Sequence, residues 1–288
     1  MFTRFLPPLI CLSALLAPLL EAAPPPNVIV ILVDDMGQTD LSCYGSRFYE
    51  TPNIDQLAKD GVRFANGYSA CTVCSPTRAA LLTGKYPARL HITDWIAGHD
   101  RPKAKLKIPD WQKFLPFEEI TLAEQFKAAG YATASIGKWH LTPGLKEGDE
   151  AYYPEKHGFD VFFGYYDQVH AHSFYTPYLI RNSEEVVLEG NVGGRTGKTY
   201  SEYPIHAAAL QFIRENKEKP FLCYMPITPP HGMYDIPADD PAWELYKNEA
   251  WMRDPTISQD TKNYAAMVSM VDREVGNVLD LLRELGLE

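Results

Sequence analysis

Three short stretches of the chain, at positions 27–33, 131–136 and 221–225, favour β-strands. The first, Asn-Val-Ile-Val-Ile-Leu-Val, shows no alternation of polar and apolar positions, which is typical of a strand buried on both faces of a parallel sheet. A helical pattern precedes each of the other two, as in α/β crossovers. The pattern therefore predicts an α/β fold in which a mainly parallel sheet is sandwiched between helices.

Capping residues, glycine stops and apolar spacings of three and four predict the helices. The predicted helices cover residues 51–61, 75–84, 121–130, 205–216 and 264–286. In the last of them the apolar stripe should face the core, with Asp272, Arg273 and Glu274 largely on its solvated side. Residues 62–68 are predicted as a further strand that leads towards Cys74.

Composition and charge narrow the class of protein. The chain has 288 residues, 45% hydrophobic and 22% charged, enough for one large domain or two ordinary ones with a sizeable core. A formal net charge of −10 argues against general nucleic-acid binding. An anion site would therefore have to be built locally, from a metal, arginines and lysines.

The N-terminus resembles a secretory signal peptide over residues 1–23, with Arg4 as its positive start and an apolar run at 6–20. The alternative is a membrane anchor, but the run is short for a span and contains three prolines. We expect cleavage near Ala23 and no membrane span afterwards. The protein is then predicted to be secreted or periplasmic.

Polar residues follow the ends of all three predicted strands. Asp34 and Asp35 end the first strand, and two adjacent carboxylates repel each other unless a cation lies between them. Oxygen ligands suit calcium or magnesium, so a hard-metal site is favoured over a solvated turn. Lys138 and His140 follow the second strand, and His231 follows the third. Ligands of open α/β sheets gather at the carboxyl ends of the strands, so these side chains should meet there.

Cys74 is the candidate reactive residue. Ser75 can cap a helix and Pro76 suits its first position, so Cys74 would lie beside a helix N-terminus, where anions are favoured. Arg78 lies about one turn further and can point back towards it. A thiol so placed is expected to have a depressed pKa. The alternatives are a redox pair or half a zinc site formed with Cys71, or a plain buried helix start.

The eleven-residue run that begins at Cys74, Cys-x-Pro-x-Arg followed by Ala-Ala-Leu-Leu-Thr-Gly, resembles the core motif of the type I sulfatases of the alkaline phosphatase superfamily. Asp-Asp-Met-Gly beginning at Asp34, Gly-Lys-Trp-His-Leu at 137–141 and Pro-His ending at His231 are similar to further motifs of that family. The resemblance covers nearly all of residues 24–288 and implies a sulfatase catalytic domain there. It matches only the N-terminal portion of such a domain, truncated at its C-terminus.

The resemblance implies a sulfuric ester hydrolase. In that family the cysteine is oxidised to formylglycine, an aldehyde whose hydrate is the nucleophile, by a formylglycine-generating or radical maturase enzyme. The implied catalytic residues are Cys74, Arg78, Lys138, His140 and His231, and the implied ligands of one calcium ion are Asp34, Asp35 and Cys74. In these roles Arg78 stabilises the modified residue, Lys138 and His231 contact the sulfate, and His140 acts as the base.

The implied substrate is a sulfate ester, either a sulfated carbohydrate or an aryl sulfate. One alternative is a phosphatase or phosphonate hydrolase of the same superfamily, but those generally use Thr or Ser with two zinc ions, unlike Cys74. The other is an inactive truncated chain that only binds sulfated glycans. His170 and His172 either line the substrate cleft or form hydrogen bonds within their own loop.

Overall fold

The computed structural model describes residues 25–99, 101–144 and 148–288. The predicted signal peptide at 1–23 lies outside these residues. Within them six strands form one sheet in the order β1-β6-β2-β3-β4-β5. The strands are β1 (Val28–Val33), β2 (Ala132–Lys138), β3 (Val161–Tyr165), β4 (Tyr178–Arg181), β5 (Glu184–Val187) and β6 (Phe221–Ile227). The first four in that order are parallel, and β4 and β5 add an antiparallel hairpin, which confirms the predicted mainly parallel sheet.

The described part of the chain contains eight α-helices. They are α1 (Pro52–Asp60), α2 (Cys74–Thr83), α3 (Pro87–Leu90), α4 (Leu122–Ala128), α5 (Gln168–Ala171), α6 (Glu202–Glu215), α7 (Trp243–Tyr246) and α8 (Gln259–Leu285). Short 3-10 helices occupy Gln38–Asp40, Ser42–Tyr44, Asp149–Tyr152, Pro154–His157 and Ala250–Arg253. None of the helices in these residues has the length and apolar character needed to span a membrane.

Strand β6 shows why the sheet needs a helical layer on each side. Its residues Cys223 and Met225 pack into the core formed with α6 and α8, whereas Leu222 and Tyr224 pack into the opposite core, formed with α2, α3 and α4. Every residue of the strand is buried. A strand buried on both faces has no reason to alternate polar and apolar positions, so the continuous apolar run follows from its place in the sheet.

The three strands predicted from the sequence are neighbours in the sheet, in the order β1-β6-β2. Val33 is paired with Ile227, and the backbone N–H of Asp34 donates to the carbonyl of Ile227 at 3.0 Å. The parallel arrangement therefore brings the residues that follow these strands to one edge of the sheet.

The strand predicted at 62–68 is wrong. These residues are irregular, and the side chains of Val62, Phe64 and Tyr68 are exposed. Valine, phenylalanine and tyrosine favour a strand only where they can pair with a neighbouring strand and pack against other side chains. In the described part of the chain β6 is the strand that pairs with β1, and no strand reaches this segment.

The predicted solvated side of α8 is also wrong, because Asp272 and Glu274 are buried. Asp272 accepts hydrogen bonds from the backbone N–H groups of Asn53 at 3.2 Å and Ile54 at 2.8 Å, in the first turn of α1. Arg273 pairs with Asp240 through two bonds of 2.7 and 2.8 Å. The apolar stripe identifies one buried face of a helix, but α8 packs on more than one side.

Candidate active site

Cys74 begins α2, and Val73 takes the cap position in extended conformation. The helix therefore starts before Ser75, which does not cap it. Instead, the buried Ser75 hydroxyl accepts the backbone N–H of Ile96 at 3.0 Å and so holds the segment that follows α3 against α2. Cys71 and Cys74 both carry free thiols in the structure.

Asp34, Arg78 and Lys138 form a buried cluster of charges beside Cys74. Lys138 Nζ lies 2.6 Å and Arg78 Nη2 lies 3.2 Å from the same carboxylate oxygen of Asp34, and Arg78 Nη1 also donates to the carbonyl of Lys138 at 2.7 Å. Burial alone would raise the pKa of Asp34, but the two cations outweigh it and hold that pKa well below its usual range. Two cations on one carboxylate leave a local excess of positive charge, which suits an anion.

The expectation of a depressed thiol pKa at Cys74 is wrong. Burial raises the pKa of the Cys74 thiol, and the nearby charges of Lys138 and Arg78 do not offset burial together with the negative charge of Asp34. Burial, with the charge of Asp34, thus outweighs the two cations and the backbone N–H of Ser75 at this position. The unmodified thiol stays protonated and is a poor nucleophile.

His140 is fully buried just after β2 and has a positive φ of 56°. Its Nε2 is hydrogen-bonded to the carbonyl oxygen of Ile96, so Nε2 carries the ring hydrogen. Nδ1 then holds a lone pair, and no donor among the described residues reaches it. Burial, with the charge of Lys138, lowers the pKa of His140 well below its ordinary value. The ring is therefore neutral with a free lone pair on Nδ1, and the lowered pKa makes it a weak base in this environment.

His231 lies in a tight turn after β6, in which its backbone N–H donates to the carbonyl of Thr228 at 3.0 Å. Its side chain is largely buried, with Nε2 3.5 Å from a carboxylate oxygen of Asp35 and 3.4 Å from the Gln168 amide nitrogen. Burial and the charge of Lys138 lower the pKa of His231. The structure therefore places His231 against Asp35, as the parallel-strand argument predicts.

Gln168 is a site residue that the sequence analysis missed. This buried side chain lies in α5, with its amide nitrogen 2.8 Å from His172 Nε2 and its amide oxygen 3.7 Å from Cys74 Sγ. His172 thus lines the cleft, whereas His170 bonds to the carbonyl of Tyr178 at 2.7 Å, within its own part of the fold. One signal in the sequence could have identified Gln168. It follows shortly after β3, a parallel strand whose carboxyl end lies at the same edge of the sheet as those of β1, β6 and β2.

Two adjoining clefts surround Cys74. A cleft of about 230 Å³ is lined by Asp34, Asp35, Cys74 and Arg78. A second of about 430 Å³ shares Asp35 and Cys74 and adds Trp95, Gln168, His172 and His231. The first is small and charged and suits the reacting anion. The second is wider and carries an indole, on which the rest of a substrate can pack.

The donor chemistry at this edge fits a hard cation. Asp34 and Asp35 supply carboxylate oxygens, which calcium prefers, and both line the same cleft as Cys74. Asp34 is buried and Asp35 is 58% exposed. Among the described residues no third His, Cys, Asp or Glu completes a cluster with them, and this includes Cys74, which the family resemblance implies as a third ligand. Asp34 and Asp35 are therefore the residues that would hold a calcium ion, and further oxygen ligands have to come from outside this pair.

The fold is the α/β fold of the alkaline phosphatase superfamily, and Cys74 lies at a helix N-terminus on the carboxyl edge of its sheet. The family model described as "Sulfatase" matches residues 26–288. The chain therefore belongs to the sulfatase family.

The chain resembles several curated sulfatases. It is 31% identical to human N-acetylgalactosamine-6-sulfatase over 92% of this chain and 48% of that protein. It is 43% identical to human arylsulfatase A over 50% of this chain and 26% of that protein. The chain thus spans about half the length of the first of these relatives.

Solved structures show the same fold. The structure of Ps i-CgsB in complex with k-i-k-neocarrahexaose has a TM-score of 0.72 and 26% identity, covering 91% of this chain and 56% of that one. A phosphonate monoester hydrolase from Agrobacterium radiobacter has a TM-score of 0.59 and 19% identity, covering 91% of this chain and 60% of that one. At that identity the second likeness concerns the fold alone.

Proposed function

We propose that this chain carries the nucleophile-bearing part of a sulfatase that hydrolyses sulfate esters, with a formylglycine made from Cys74 and a calcium ion held by Asp34 and Asp35. The observation that carries the proposal is the buried cluster of Asp34, Arg78 and Lys138 beside Cys74. This cluster offers local positive charge at a helix N-terminus in a chain whose net charge is −10. Membership of the sulfatase family supports the same conclusion.

The residues of the chain divide the work of the reaction. Lys138 and Arg78 stabilise negative charge on the sulfate oxygens, together with the N–H groups that begin α2. His140 offers the lone pair of Nδ1 as a base, because Nε2 is engaged by Ile96. His231 lines the wider of the two clefts and contacts the ester there. The formylglycine hydrate would supply the nucleophile, and calcium would supply positive charge for the sulfate.

We propose a sulfated carbohydrate, rather than an aryl sulfate, as the substrate. The wider cleft is open and lined by Trp95, whose flat indole suits the apolar face of a sugar ring. A structural neighbour at 26% identity is in complex with k-i-k-neocarrahexaose, and the relative at 31% identity is named for N-acetylgalactosamine 6-sulfate. Turnover of an aryl sulfate with no turnover of any sulfated saccharide would contradict this choice.

The signal-like residues 1–23 support export, so we propose that the protein is secreted or periplasmic and is matured by a formylglycine-generating or radical maturase enzyme. N-terminal sequencing of the protein from the culture medium or periplasm tests this. The proposed mature chain begins near residue 24, and an intact N-terminus at Met1 would contradict it.

The modification and the activity are tested together in the natural protein, co-produced with a maturase. Mass spectrometry of the peptide that contains Cys74 should show the loss expected when a thiol becomes an aldehyde. Cys74→Ala should abolish sulfate release and keep the fold, whereas the matched control Cys71→Ala should retain activity. Near-normal turnover by Cys74→Ala would exclude the formylglycine mechanism.

The same preparations distinguish the remaining alternatives. A phosphatase or phosphonate hydrolase would cleave a phosphate or phosphonate monoester faster than the matching sulfate ester, and would not depend on modified Cys74. An inactive glycan-binding chain would bind sulfated saccharide and release no sulfate even when Cys74 is modified.

A further inference from the structure

Three side chains in the segment that follows α3 form one hydrogen-bonded network, and they are Asp94, Trp95 and His99. One oxygen of the Asp94 carboxylate accepts the backbone N–H of Trp95 at 2.9 Å. The other oxygen accepts the backbone N–H of His99 at 3.1 Å and the ring N–H of His99 Nδ1 at 2.7 Å. The indole N–H of Trp95 donates to His99 Nε2 at 3.4 Å. Asp94 thus holds His99, and His99 holds the indole.

The partners of His99 assign its tautomer. A carboxylate without a hydrogen can only accept, so Nδ1 carries the ring hydrogen, and an indole N–H can only donate, so Nε2 presents a lone pair. The ring of His99 lies 5.6 Å from the ring of Trp95 between centroids, with an angle of 82° between the planes. Because His99 takes the one polar group of the indole, the contacts that Trp95 offers to a ligand are those of its carbon surface.

Ile96 fixes the main chain next to Trp95. Its N–H donates to the hydroxyl of Ser75 in the first turn of α2 at 3.0 Å, and its carbonyl is bonded to Nε2 of His140. The side chain of Ile96 is buried. The backbone beside Trp95 is therefore held against the residues proposed for the reaction, and the network with His99 fixes the direction of the indole.

We propose that Asp94 and His99 are positioning residues that determine specificity for the sugar part of the substrate, because they hold the Trp95 indole as an apolar wall of the wider cleft. Trp95 lines that cleft together with Cys74, whereas Asp94 and His99 are not among its lining residues. The two residues therefore act through Trp95. This inference rests on the proposed function, which takes Trp95 as the surface that receives a sugar ring.

Kinetics of the natural protein, co-produced with a maturase, test this role. The substrate is the one of N-acetylgalactosamine 6-sulfate and k-i-k-neocarrahexaose that the wild type cleaves faster. In His99→Ala the indole loses its acceptor, so KM should rise about 3- to 10-fold while kcat stays within about twofold. Asp94→Ala should have the same effect, and Asp110→Ala, an exposed aspartate further along the chain, should have none.

His99→Gln is the conservative variant. Its amide oxygen can accept the indole N–H and its amide nitrogen can donate to Asp94, so KM should return to within about twofold of the wild type. The side chain of His99 is 43% exposed, so neither variant disturbs the core. In a protein that already carries Trp95→Ala, adding His99→Ala should change KM by less than about twofold, because the residue through which His99 acts is gone. A further loss there would overturn the proposal.

Inorganic sulfate separates the sugar contact from the anion contact. Trp95 does not line the small charged cleft of Asp34 and Arg78. The inhibition constant of inorganic sulfate should therefore be the same in the wild type and in His99→Ala. A rise of this constant in parallel with KM would overturn the proposal, because the defect would then lie in the anion cleft.

A second measurement does not depend on turnover. The indole N–H resonance of Trp95, identified by its absence in Trp95→Phe, should move in His99→Ala and stay close to its wild-type position in His99→Gln. The indole N–H groups of Trp139 and Trp243 donate to main-chain carbonyls at 2.9 Å and serve as internal references that should not move.

The two readouts separate this inference from the proposed function. A protein that is modified at Cys74 and cleaves an aryl sulfate but neither saccharide would overturn the proposed substrate and with it the role in sugar recognition, even if the resonance shows the network. A wild type that cleaves a saccharide, with no rise of KM or no shifted resonance in His99→Ala, would overturn the positioning role alone. Equal rises of KM in His99→Gln and His99→Ala would do the same, because the acceptor for the indole would then not be the feature that matters.

Discussion

Two buried groups of acidic side chains in this protein have opposite charge states. At the active site, Asp34 is 7% exposed and is bonded to both Lys138 and Arg78, which hold its pKa low. Beside the start of α6, Glu202 and Glu274 are buried still more completely, and burial raises the pKa of both. Burial is thus similar in the two regions, and the partners differ.

The comparison shows that the charge of a buried carboxyl is set by whether a cation is within reach. Desolvation disfavours the ionised form, and at Asp34 the two opposite charges in contact reverse that preference. In the candidate active site two cations contact the one buried carboxylate, Asp34, which therefore stays ionised. The second cation leaves a net positive charge that can attract an anion. The cluster beside α6 has one nearby cation, Arg273, and that cation is bonded to Asp240. Its carboxyls are therefore neutral near pH 7.

The largest expected effect comes from removing one cation at the active site. Lys138→Met should lower kcat/KM for sulfate release by about 10²- to 10³-fold, because the proposed site loses one of the two buried cations bonded to Asp34 beside Cys74. Stability should fall by at most ~3–5 kcal/mol, since Arg78 remains paired with Asp34. Steady-state kinetics and chemical denaturation measure the two effects.

The matched control for that variant is Lys127→Met, which removes an exposed lysine paired with Asp160 at 2.7 Å. Both its activity and its stability should stay close to wild type, within ~1 kcal/mol. If Lys138→Met retained normal turnover, the buried cluster would have no part in sulfate recognition.

The pH dependence of the free energy of unfolding should show whether the buried carboxyl of Glu202 is neutral in the folded protein. Burial raises the pKa of Glu202 from its ordinary 4.5 to about 8 in the folded protein, so the folded state binds more protons than the unfolded state between these two values. The free energy of unfolding should therefore be highest below about pH 4.5, as far as this group is concerned, and fall as pH rises towards 8, by at most about 1.4 kcal/mol per pH unit.

Glu202→Gln removes this contribution, so the stability difference between the variant and the wild type should grow in favour of the variant as pH rises from 5 to 8. Denaturant titrations at several pH values measure it, with Glu215→Gln as the exposed control. A difference that is constant with pH would mean that Glu202 is already ionised in the folded protein.

Asp272 tests a third arrangement, a buried carboxyl held by N–H donors rather than by cations. It accepts two backbone N–H groups of α1 and the side-chain amide of Asn53 at 2.7 Å. Asp272→Ala should leave these donors unpaired and lower stability by about 1–3 kcal/mol. Asp280→Ala, an exposed position on the same helix, should change it by less than ~0.5 kcal/mol. Equal stabilities of the two variants would remove Asp272 as the link between α8 and α1.

The smallest effect is expected at the Thr228 side chain. Its hydroxyl is buried, and no partner for it exists among the described residues, whereas its carbonyl accepts the backbone N–H of His231 at 3.0 Å. Thr228→Val should therefore be neutral or slightly stabilising, with activity retained. The contrasting variant is Thr121→Val, whose hydroxyl caps α4 and donates to the carbonyl of His157 at 2.7 Å, so it should cost about 1–2 kcal/mol. A loss of activity in Thr228→Val would show that the hydroxyl, and not only the carbonyl bonded to His231, is needed in this turn.

Several features of the fold and the site could be predicted from the sequence, because they depend on local patterns. Periodicity and capping residues predict the strands β1, β2 and β6 and the helices α1, α2, α4, α6 and α8. The rule for parallel strands then predicts that Asp34, Lys138 and His231 lie at one edge of the sheet. The family could be inferred because the run after Cys74 is long and specific, and the family model confirms it.

Other features depend on contacts between residues far apart in the chain. Gln168 was missed because the residues next to it in the sequence form no recognisable motif. It becomes a site residue only because the fold places α5, which follows β3, beside Cys74. The segment at 62–68 has the composition of a strand, but pairing requires a neighbour that the described sheet does not provide there. Local propensity yields to such tertiary context.

The sequence alone therefore determined the class of fold, the candidate reactive residue, and the edge of the sheet at which the polar residues after the strands lie. Only the tertiary structure decided the electrostatics, because a pKa depends on burial and on which charges come within reach. It placed two cations on Asp34, kept the thiol of Cys74 protonated and buried Asp272 and Glu274, which helical spacing had assigned to solvent. Spacing along a helix fixes which residues share a face, but the number of faces that become buried is set by the elements that pack around it.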